Sequence, residues 1–325
     1  MKPDGRSPAP PSTVHFSLTD LCNLQCAHCD IWKKPRRREF ELDEWKRVVD
    51  AFAAWLGRHT LKIAGGEPLM KPWLLDLVRH AKGAGLTVGI STNGTLLPEE
   101  MVKALCDLGL DEVNISVDSL SDAVHDEMRR RPGTLKKAIE TVELFRRHSR
   151  RTDINVATVL NRNNQAEVIR MAGWARDHGV RTLTLQPLMQ NFSAPYDPLW
   201  HRSSPYWPAD TAEMAKVLEQ CKAFRLRFWT IGNPLGQIEA MKRYFREPEN
   251  TEILGCTAGQ TDVGVDPQGN FLLCFNLAPV GNVLERPPAD LFHSEEARQR
   301  RTQIEKCPRR CNLLNCVYPQ EDQDQ

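Results

Sequence analysis

The sequence lacks an excess of charge of either sign, and it lacks long apolar runs. Lys and Arg number 43 and Asp and Glu 42, which gives a formal net charge of +1 over 325 residues. A balanced chain has no electrostatic footprint for a polyanion, so we expect no nucleic-acid partner. No run approaches about 18 consecutive apolar residues, and residues 1–11 are polar and proline-rich rather than a charged and then apolar leader. We therefore expect a cytoplasmic protein without a membrane span.

Cysteine, in contrast, is plentiful and unevenly placed. Ten cysteines are present, of which Cys106 and Cys221 stand alone and are expected to be packing residues. The other cysteines form a first group of Cys22, Cys26 and Cys29 and a second group of Cys256, Cys274, Cys307, Cys311 and Cys316. In a chain without a secretory signal, tight cysteine groups indicate metal or redox sites before disulfides.

Short β-branched or apolar runs alternate with longer amphipathic segments up to about residue 186. The predicted strands are 14–18, 60–64, 86–91, 112–117, 154–159 and 181–186, and the predicted helices between them are 42–56, 72–83, 98–109, 135–150 and 165–179. This alternation predicts an α/β fold, with a parallel sheet that is either open or closed into a barrel. Six units are fewer than the eight that close a full barrel. A loop with several aromatic residues follows over 191–208, either as a surface loop or as a wall of a substrate site, and a helix is predicted over 210–228.

The first cysteine group has the spacing C-x3-C-x2-C and follows the first predicted strand. Loops at the carboxyl ends of parallel strands build active sites in α/β folds. Thiolates at this spacing can hold zinc or an iron–sulfur centre, but three ligands are one short of four. Either His28 or a distant residue completes a structural zinc site, or the fourth position is open for an exogenous ligand.

Polar motifs follow the next three strands. They are Gly65-Gly66-Glu67-Pro68, Ser91-Thr92-Asn93-Gly94 and Ser116-Val117-Asp118. Paired glycines allow a ligand to approach the backbone, and the polar side chains offer acceptors for an amino group and ribose hydroxyls. Each motif alone is also typical of ordinary turns. At the ends of three successive strands behind C-x3-C-x2-C, they indicate one site.

Together these motifs resemble the radical S-adenosylmethionine (radical SAM) superfamily, over residues 14 to about 186. The resemblance implies a partial (β/α)6 barrel in which Cys22, Cys26 and Cys29 hold a [4Fe–4S] cluster that binds S-adenosylmethionine. It also implies reductive cleavage of S-adenosylmethionine to a 5′-deoxyadenosyl radical, which abstracts hydrogen from a substrate, with electrons from a ferredoxin- or flavodoxin-like donor. The residues that it assigns to S-adenosylmethionine are Gly65, Gly66 and Glu67 at the methionine amino group, Ser91, Asn93, Ser116 and Asp118 near the ribose or methionine, and Arg129 at the methionine carboxylate. His28 departs from the aromatic residue that many members carry before the third cysteine.

The second cysteine group begins with C-x12-G-x4-C, from Cys256 to Cys274, with Gly269 in a predicted hairpin turn. A structural zinc knuckle is one interpretation. The spacing also resembles the auxiliary-cluster domains called SPASM and, in their shorter form, twitch. That resemblance implies a small α+β module with one auxiliary [4Fe–4S] cluster, held by Cys256, Cys274 and two of Cys307, Cys311 and Cys316. The remaining thiol is an alternative ligand, inert, or a hydrogen-atom donor.

The expected organisation is a disordered tail over 1–13, a partial barrel over 14–230, a linker over 231–253, the cluster module over 254–318 and a second tail over 319–325. The expected reaction is oxidation, epimerisation or elimination that starts with hydrogen abstraction from a small polar metabolite such as a sugar or aminocyclitol, with the auxiliary cluster as electron acceptor. Radical modification of a ribosomal peptide or protein side chain is the alternative. A structural zinc or iron–sulfur protein without enzymatic activity is a third hypothesis.

Overall fold

The computed structural model describes residues 8–191, 194–249, 255–315 and 318. In this part of the chain, one sheet contains nine strands in the order β6-β5-β4-β3-β2-β1-β7-β8-β9. The strands are β1 Thr13–Ser17, β2 Thr60–Ala64, β3 Thr87–Thr92, β4 Glu112–Ser116, β5 Asp153–Leu160, β6 Thr182–Pro187, β7 Asp262–Val265, β8 Asn270–Leu272 and β9 Gly281–Asn282. The helices are α1 Leu42–Leu56, α2 Leu74–Gly83, α3 Glu99–Asp107, α4 Asp122–Arg129, α5 Thr134–His148, α6 Val168–Asp177, α7 Thr211–Phe228, α8 Leu235–Arg246, α9 Pro288–His293 and α10 Glu295–Glu305.

Strands β1 to β7 pair in parallel, whereas β7, β8 and β9 form an antiparallel meander. The sheet is open, because the order of its strands is linear and β6 and β9 lie at opposite edges. The six βα units confirm the prediction of an α/β fold with a partial barrel. No helix in the described ranges is long and apolar enough to cross a membrane.

Alternation along each strand separates the core from the lumen of the partial barrel. In β1, Val14 and Phe16 are fully buried beneath α1, where the Phe16 ring centroid lies 4.7 Å from that of Trp45. Ser17, on the opposite face of β1, lines a cavity in the lumen. The same period of two in β2, β4, β5 and β6 alternates buried side chains, which face the helices, with less buried ones, most of them polar, which face the lumen.

The meander of the C-terminal module extends the sheet of the barrel. Thr13 of β1 is in register with Asp262 of β7, and the His15 Nε2 lies 2.8 Å from the Asp262 Oδ1. The C-terminal module and the barrel therefore share one sheet, although the sequence pattern predicted two successive units.

Three segments are more ordered than the sequence predicted. Ser12 belongs to the expected disordered tail, but its amide donates to the Thr261 carbonyl at 3.0 Å and its own carbonyl accepts from the Thr60 amide at 3.0 Å. Helix α4 precedes α5, and the chain turns between them at Arg130, which has a φ of 52°. The segment expected as a linker over 231–253 contains α8, whose buried apolar face packs on α7.

The aromatic loop divides between packing and the cavity. Trp207 packs on Tyr244 and Phe245 of α8, with ring centroids 5.3 and 5.2 Å away, which favours the interpretation as a self-packed loop. Among the described residues of this loop, Asn191 alone lines the cavity described below. The neighbouring Phe192 lies outside the described residues.

Candidate active site

A cavity of about 830 Å³ opens at the carboxyl ends of the parallel strands. All three cysteines of the first group line it, together with lumen residues of the strands and residues of the C-terminal module such as Phe275 and Leu277. The predicted motifs therefore lie around one space, because parallel strands end on the same side of the sheet.

The loop of the first cysteine group offers three thiols without disulfide partners. Burial raises the pKa of Cys22 to about 11, and repulsion from the Cys26 and Cys29 thiolates adds to this effect. Burial also raises the pKa of Cys29. Three clustered thiolates are therefore costly without a positively charged partner, and an iron–sulfur cluster supplies such a charge. The three thiols of the first cysteine group therefore fit an iron–sulfur cluster.

His28, weighed above as a fourth ligand, lines the same cavity. Burial lowers its pKa to about 4, so the ring is neutral at pH 7. Within the described ranges, no group of three or more His, Cys, Asp or Glu side chains could hold a single metal ion.

The glycine pair Gly65-Gly66 packs against the loop that carries the cysteines. The Gly66 amide donates to the Thr19 carbonyl at 2.6 Å, and the Glu67 amide donates to the Leu21 carbonyl at 2.8 Å. A Cβ on Gly65 would lie 2.6 Å from the Thr19 carbonyl oxygen, and one on Gly66 would overlap the Leu21 carbonyl. Both glycines also line the cavity. Besides leaving room for a ligand, the pair thus allows the cysteine loop to approach closely.

We expect Gly66→Ala to destabilise the cysteine loop strongly. The added methyl group must displace backbone atoms rather than a flexible side chain, so a loss of about 2–4 kcal/mol in the free energy of unfolding is expected. Urea denaturation followed by circular dichroism measures this loss. Gly83→Ala is the matched control, since its new Cβ has no neighbour within 4 Å, and it should stay within about 1 kcal/mol of the wild type.

The side chain of Glu67 faces the protein interior rather than the cavity. It is fully buried, and its carboxylate accepts from the Thr92 hydroxyl at 2.8 Å, the Asn93 backbone N–H at 2.8 Å and the Leu69 backbone N–H at 3.2 Å. Burial raises its pKa, and these hydrogen bonds oppose the rise. The side-chain oxygens of Glu67 thus join its own motif, after β2, to the motif Ser91-Thr92-Asn93-Gly94 after β3. A contact of Glu67 with the methionine amino group stays a prediction.

The lumen holds polar side chains on several strands. Ser91, Asn93 and Ser116 line the cavity, as the expectation for a ribose and methionine site requires. Asn114 and Gln186 also line the cavity, although the motifs of the sequence did not include them. The Asn114 Oδ1 is buried without a hydrogen-bond partner. The period of two along β4, which places Asn114 on the same face as Ser116, could have identified it.

Asp118 and Arg129 form a buried ion pair at the edge of the cavity. The Arg129 Nε lies 2.9 Å from the Asp118 Oδ2, with side chains 8% and 0% exposed. The guanidinium also lies beside the first cysteine group, with Nη1 3.8 Å from the Cys26 Sγ. Asp118 was expected near the ribose or methionine, but it is fully buried behind Arg129 and does not line the cavity.

The second cysteine group surrounds a smaller cavity of about 50 Å³ in the C-terminal module. Cys256, Cys274, Cys307 and Cys311 all line it, whereas Cys316 lies outside the described residues. Burial, followed by repulsion from neighbouring thiolates, raises the pKa of Cys311 to about 12. This donor set fits an iron–sulfur cluster for the same reason as the first. Leu277 lines both cavities, so the two cysteine sites are neighbours.

Comparison with known families identifies both parts of the chain. Residues 16–175 match the radical SAM superfamily, and residues 256–317 match the iron–sulfur cluster-binding domain SPASM. The chain belongs to the radical SAM superfamily and carries a C-terminal SPASM domain, which confirms the resemblance. The first match implies a [4Fe–4S] cluster that binds S-adenosylmethionine, and the second implies auxiliary iron–sulfur clusters.

Individual relatives differ in what they act on. The AdoMet-dependent heme synthase of Methanosarcina barkeri is 32% identical over 171 residues, 52% of this chain and 48% of that protein. The GTP 3′,8-cyclase of Limosilactobacillus fermentum is 28% identical over 67% of this chain and 64% of its own length. The solved structure of anSMEcpe with bound AdoMet and the Cp18Cys peptide has a TM-score of 0.69 at 18% identity, covering 94% of this chain and 88% of that one. The chain thus spans about half to two thirds of these two curated relatives, and the structural likeness concerns the fold.

Proposed function

We propose that this protein cleaves S-adenosylmethionine reductively and removes a hydrogen atom from a C–H bond of a small polar metabolite. The observation that carries the proposal is the single cavity, which the first cysteine group, the polar lumen and the C-terminal module all line. A substrate in this cavity lies next to the first cysteine group, and Leu277, which lines both cavities, stands between it and the second group. Oxidation, epimerisation or elimination would each begin with this abstraction.

We assign the first cluster to Cys22, Cys26 and Cys29 and the auxiliary cluster to Cys256, Cys274, Cys307 and Cys311. When bound, the first cluster and S-adenosylmethionine supply the one-electron cleavage and the hydrogen-abstracting group. The protein binds and orients its ligands, with the backbone of Gly65 and Gly66 and the side chains of Ser91, Asn93 and Ser116 at S-adenosylmethionine. The C-terminal module covers one side of the cavity and so excludes water from it.

The size and polarity of the cavity support a small polar substrate. Sites for drug-sized ligands measure roughly 300–1,000 Å³, and this cavity of about 830 Å³ receives the first cluster and S-adenosylmethionine as well as the substrate. The remaining space therefore suits a sugar-sized metabolite. Asn114 offers an unpartnered buried oxygen, which would accept a hydrogen bond from a hydroxyl or amino group.

A second candidate is the modification of one side chain of a peptide. The remaining space also accepts a single side chain, and the mouth of the cavity is lined by the exposed Lys34 and Arg37, beside which a longer chain could lie. The fold shared with anSMEcpe, which was solved with a bound peptide, supports this candidate.

Deuterium transfer distinguishes the two candidates. Small-molecule and peptide fractions from cells grown in heavy water are added separately to the reconstituted, dithionite-reduced protein with S-adenosylmethionine, and the mass of the released 5′-deoxyadenosine is measured. We expect deuterium in the released 5′-deoxyadenosine only when the small-molecule fraction is added. Deuterium from the peptide fraction alone would select the second candidate, and no nucleoside under any condition would contradict both. Replacing dithionite by a reduced ferredoxin or flavodoxin tests the donor that we assign to the enzyme.

A further inference from the structure

The guanidinium of Arg129 is held between a carboxylate and a cysteine of the first group. Arg129 is the last residue of α4, and its side chain is 8% exposed. On one side its Nε lies 2.9 Å from the Asp118 Oδ2, and on the other its Nη1 lies 3.8 Å from the Cys26 Sγ. Asp118 is itself fixed, because its Oδ1 accepts from the Val159 amide at 3.1 Å. The positive charge therefore has a defined position next to a cluster ligand.

We propose that the Asp118–Arg129 pair sets the reduction potential of the cluster held by Cys22, Cys26 and Cys29. This inference rests on the proposed function, since it requires a cluster at these thiols. It adds a role toward the cysteine ligand to the contact with the methionine carboxylate that the superfamily resemblance implies for Arg129. Arg129 and Asp118 act through Cys26 and are positioning residues.

The two members of the pair affect the potential with opposite signs. One-electron reduction adds a negative charge to the cluster and its thiolates. The buried guanidinium stabilises that charge and favours reduction, whereas the buried Asp118 carboxylate disfavours it. Because both side chains are almost completely buried, water and salt screen these interactions weakly. Arg129 contacts Cys26 directly, so its effect is the larger one.

These signs predict a different shift of the midpoint potential for each of four variants. Arg129→Gln should move the midpoint potential to a more negative value, and Asp118→Asn should move it to a more positive value. The double variant Asp118→Asn/Arg129→Gln removes both charges and avoids an unpaired buried carboxylate. Its potential should lie below that of the wild type but above that of Arg129→Gln. Arg129→Lys keeps the charge and should shift the potential less than Arg129→Gln does.

Arg131→Gln is the matched control. Arg131 also contacts the cysteine loop, where its Nη1 donates to the Asn23 carbonyl at 3.1 Å, but its side chain is exposed. Solvent should screen its charge, so the potential should stay at the wild-type value. The titration is followed by electron paramagnetic resonance without S-adenosylmethionine, and a parallel sample identifies the first cluster as the one whose signal changes when S-adenosylmethionine is added.

Opposite shifts for Arg129→Gln and Asp118→Asn would support the proposal. Shifts of the same sign, or unchanged potentials in variants that assemble the cluster, would overturn it. An unchanged potential with weakened S-adenosylmethionine binding in Arg129→Gln would overturn it in favour of the carboxylate role. If a single variant assembles no cluster, the double variant and Arg129→Lys provide the comparison. A wild-type protein without a cluster at this site would instead contradict the proposed function.

Discussion

Cys274→Ala is expected to remove about four of about eight irons from the reconstituted protein and to abolish product formation while 5′-deoxyadenosine release continues. Cys274 lines the small cavity with Cys256, Cys307 and Cys311, and the Asn276 amide donates to its sulfur at 3.4 Å. Four thiols complete one cluster, so the loss of one ligand should leave that cluster unstable. The first cysteine group lies on a different loop and should retain its own cluster.

Two other cysteine variants serve as controls for this prediction. Cys221 is fully buried in α7 and borders neither cysteine cavity, so Cys221→Ala should keep all iron. Cys316→Ala should also keep it, because the four thiols around the small cavity suffice for one cluster. Full iron content in Cys274→Ala would contradict the assignment. About twelve irons in the wild type would contradict a single auxiliary cluster.

Glu67→Ala is expected to lower the free energy of unfolding by about 3–5 kcal/mol. The substitution leaves the Asn93 and Leu69 amides and the Thr92 hydroxyl without their buried acceptor. It also removes the connection between the loops after β2 and β3, so S-adenosylmethionine should bind more weakly. Urea denaturation measures the first effect and equilibrium dialysis the second. Glu140→Ala, on the exposed face of α5, should change stability by less than about 0.5 kcal/mol.

The contribution of Glu67 also predicts a pH dependence. Burial raises its folded-state pKa above the usual value of 4.5. Because the pKa is raised in the folded state, the contribution of Glu67 to the free energy of unfolding is complete below its unfolded-state pKa. This contribution is lost as the pH rises through the folded-state pKa. The difference in stability between wild type and Glu67→Ala should therefore be largest at acid pH. A difference that grows toward neutral pH would contradict the buried, desolvated position of this carboxylate.

Local periodicity was sufficient to predict the barrel and the position of the motifs. The strands of the six βα units were predicted to within about two residues at each end, because alternation and amphipathic spacing depend on neighbouring residues. The pairing of β1 with β7 could not be predicted in this way. Thr13 and Asp262 lie far apart in sequence, and nothing in either segment specifies its partner.

The role of individual site residues was harder to predict than their location. The sequence places Glu67 and Asp118 at strand ends near the site. It does not show whether their side chains point into the cavity or into the protein interior. In the structure both carboxylates turn inward to satisfy partners, Glu67 at Thr92 and Asn93 and Asp118 at Arg129. Helix α8 was not predicted, although its buried Ile238, Met241 and Phe245 have helical spacing.

The assignment of two clusters is tested by comparing wild type with a Cys22→Ala/Cys26→Ala/Cys29→Ala variant after anaerobic reconstitution. Iron and sulfide content and 5′-deoxyadenosine release after reduction are measured for both proteins. We expect about eight irons in the wild type, about four in the variant, and nucleoside from the wild type alone. Zinc in place of iron, or no nucleoside from a fully reconstituted wild type, would contradict this assignment and indicate a structural metalloprotein.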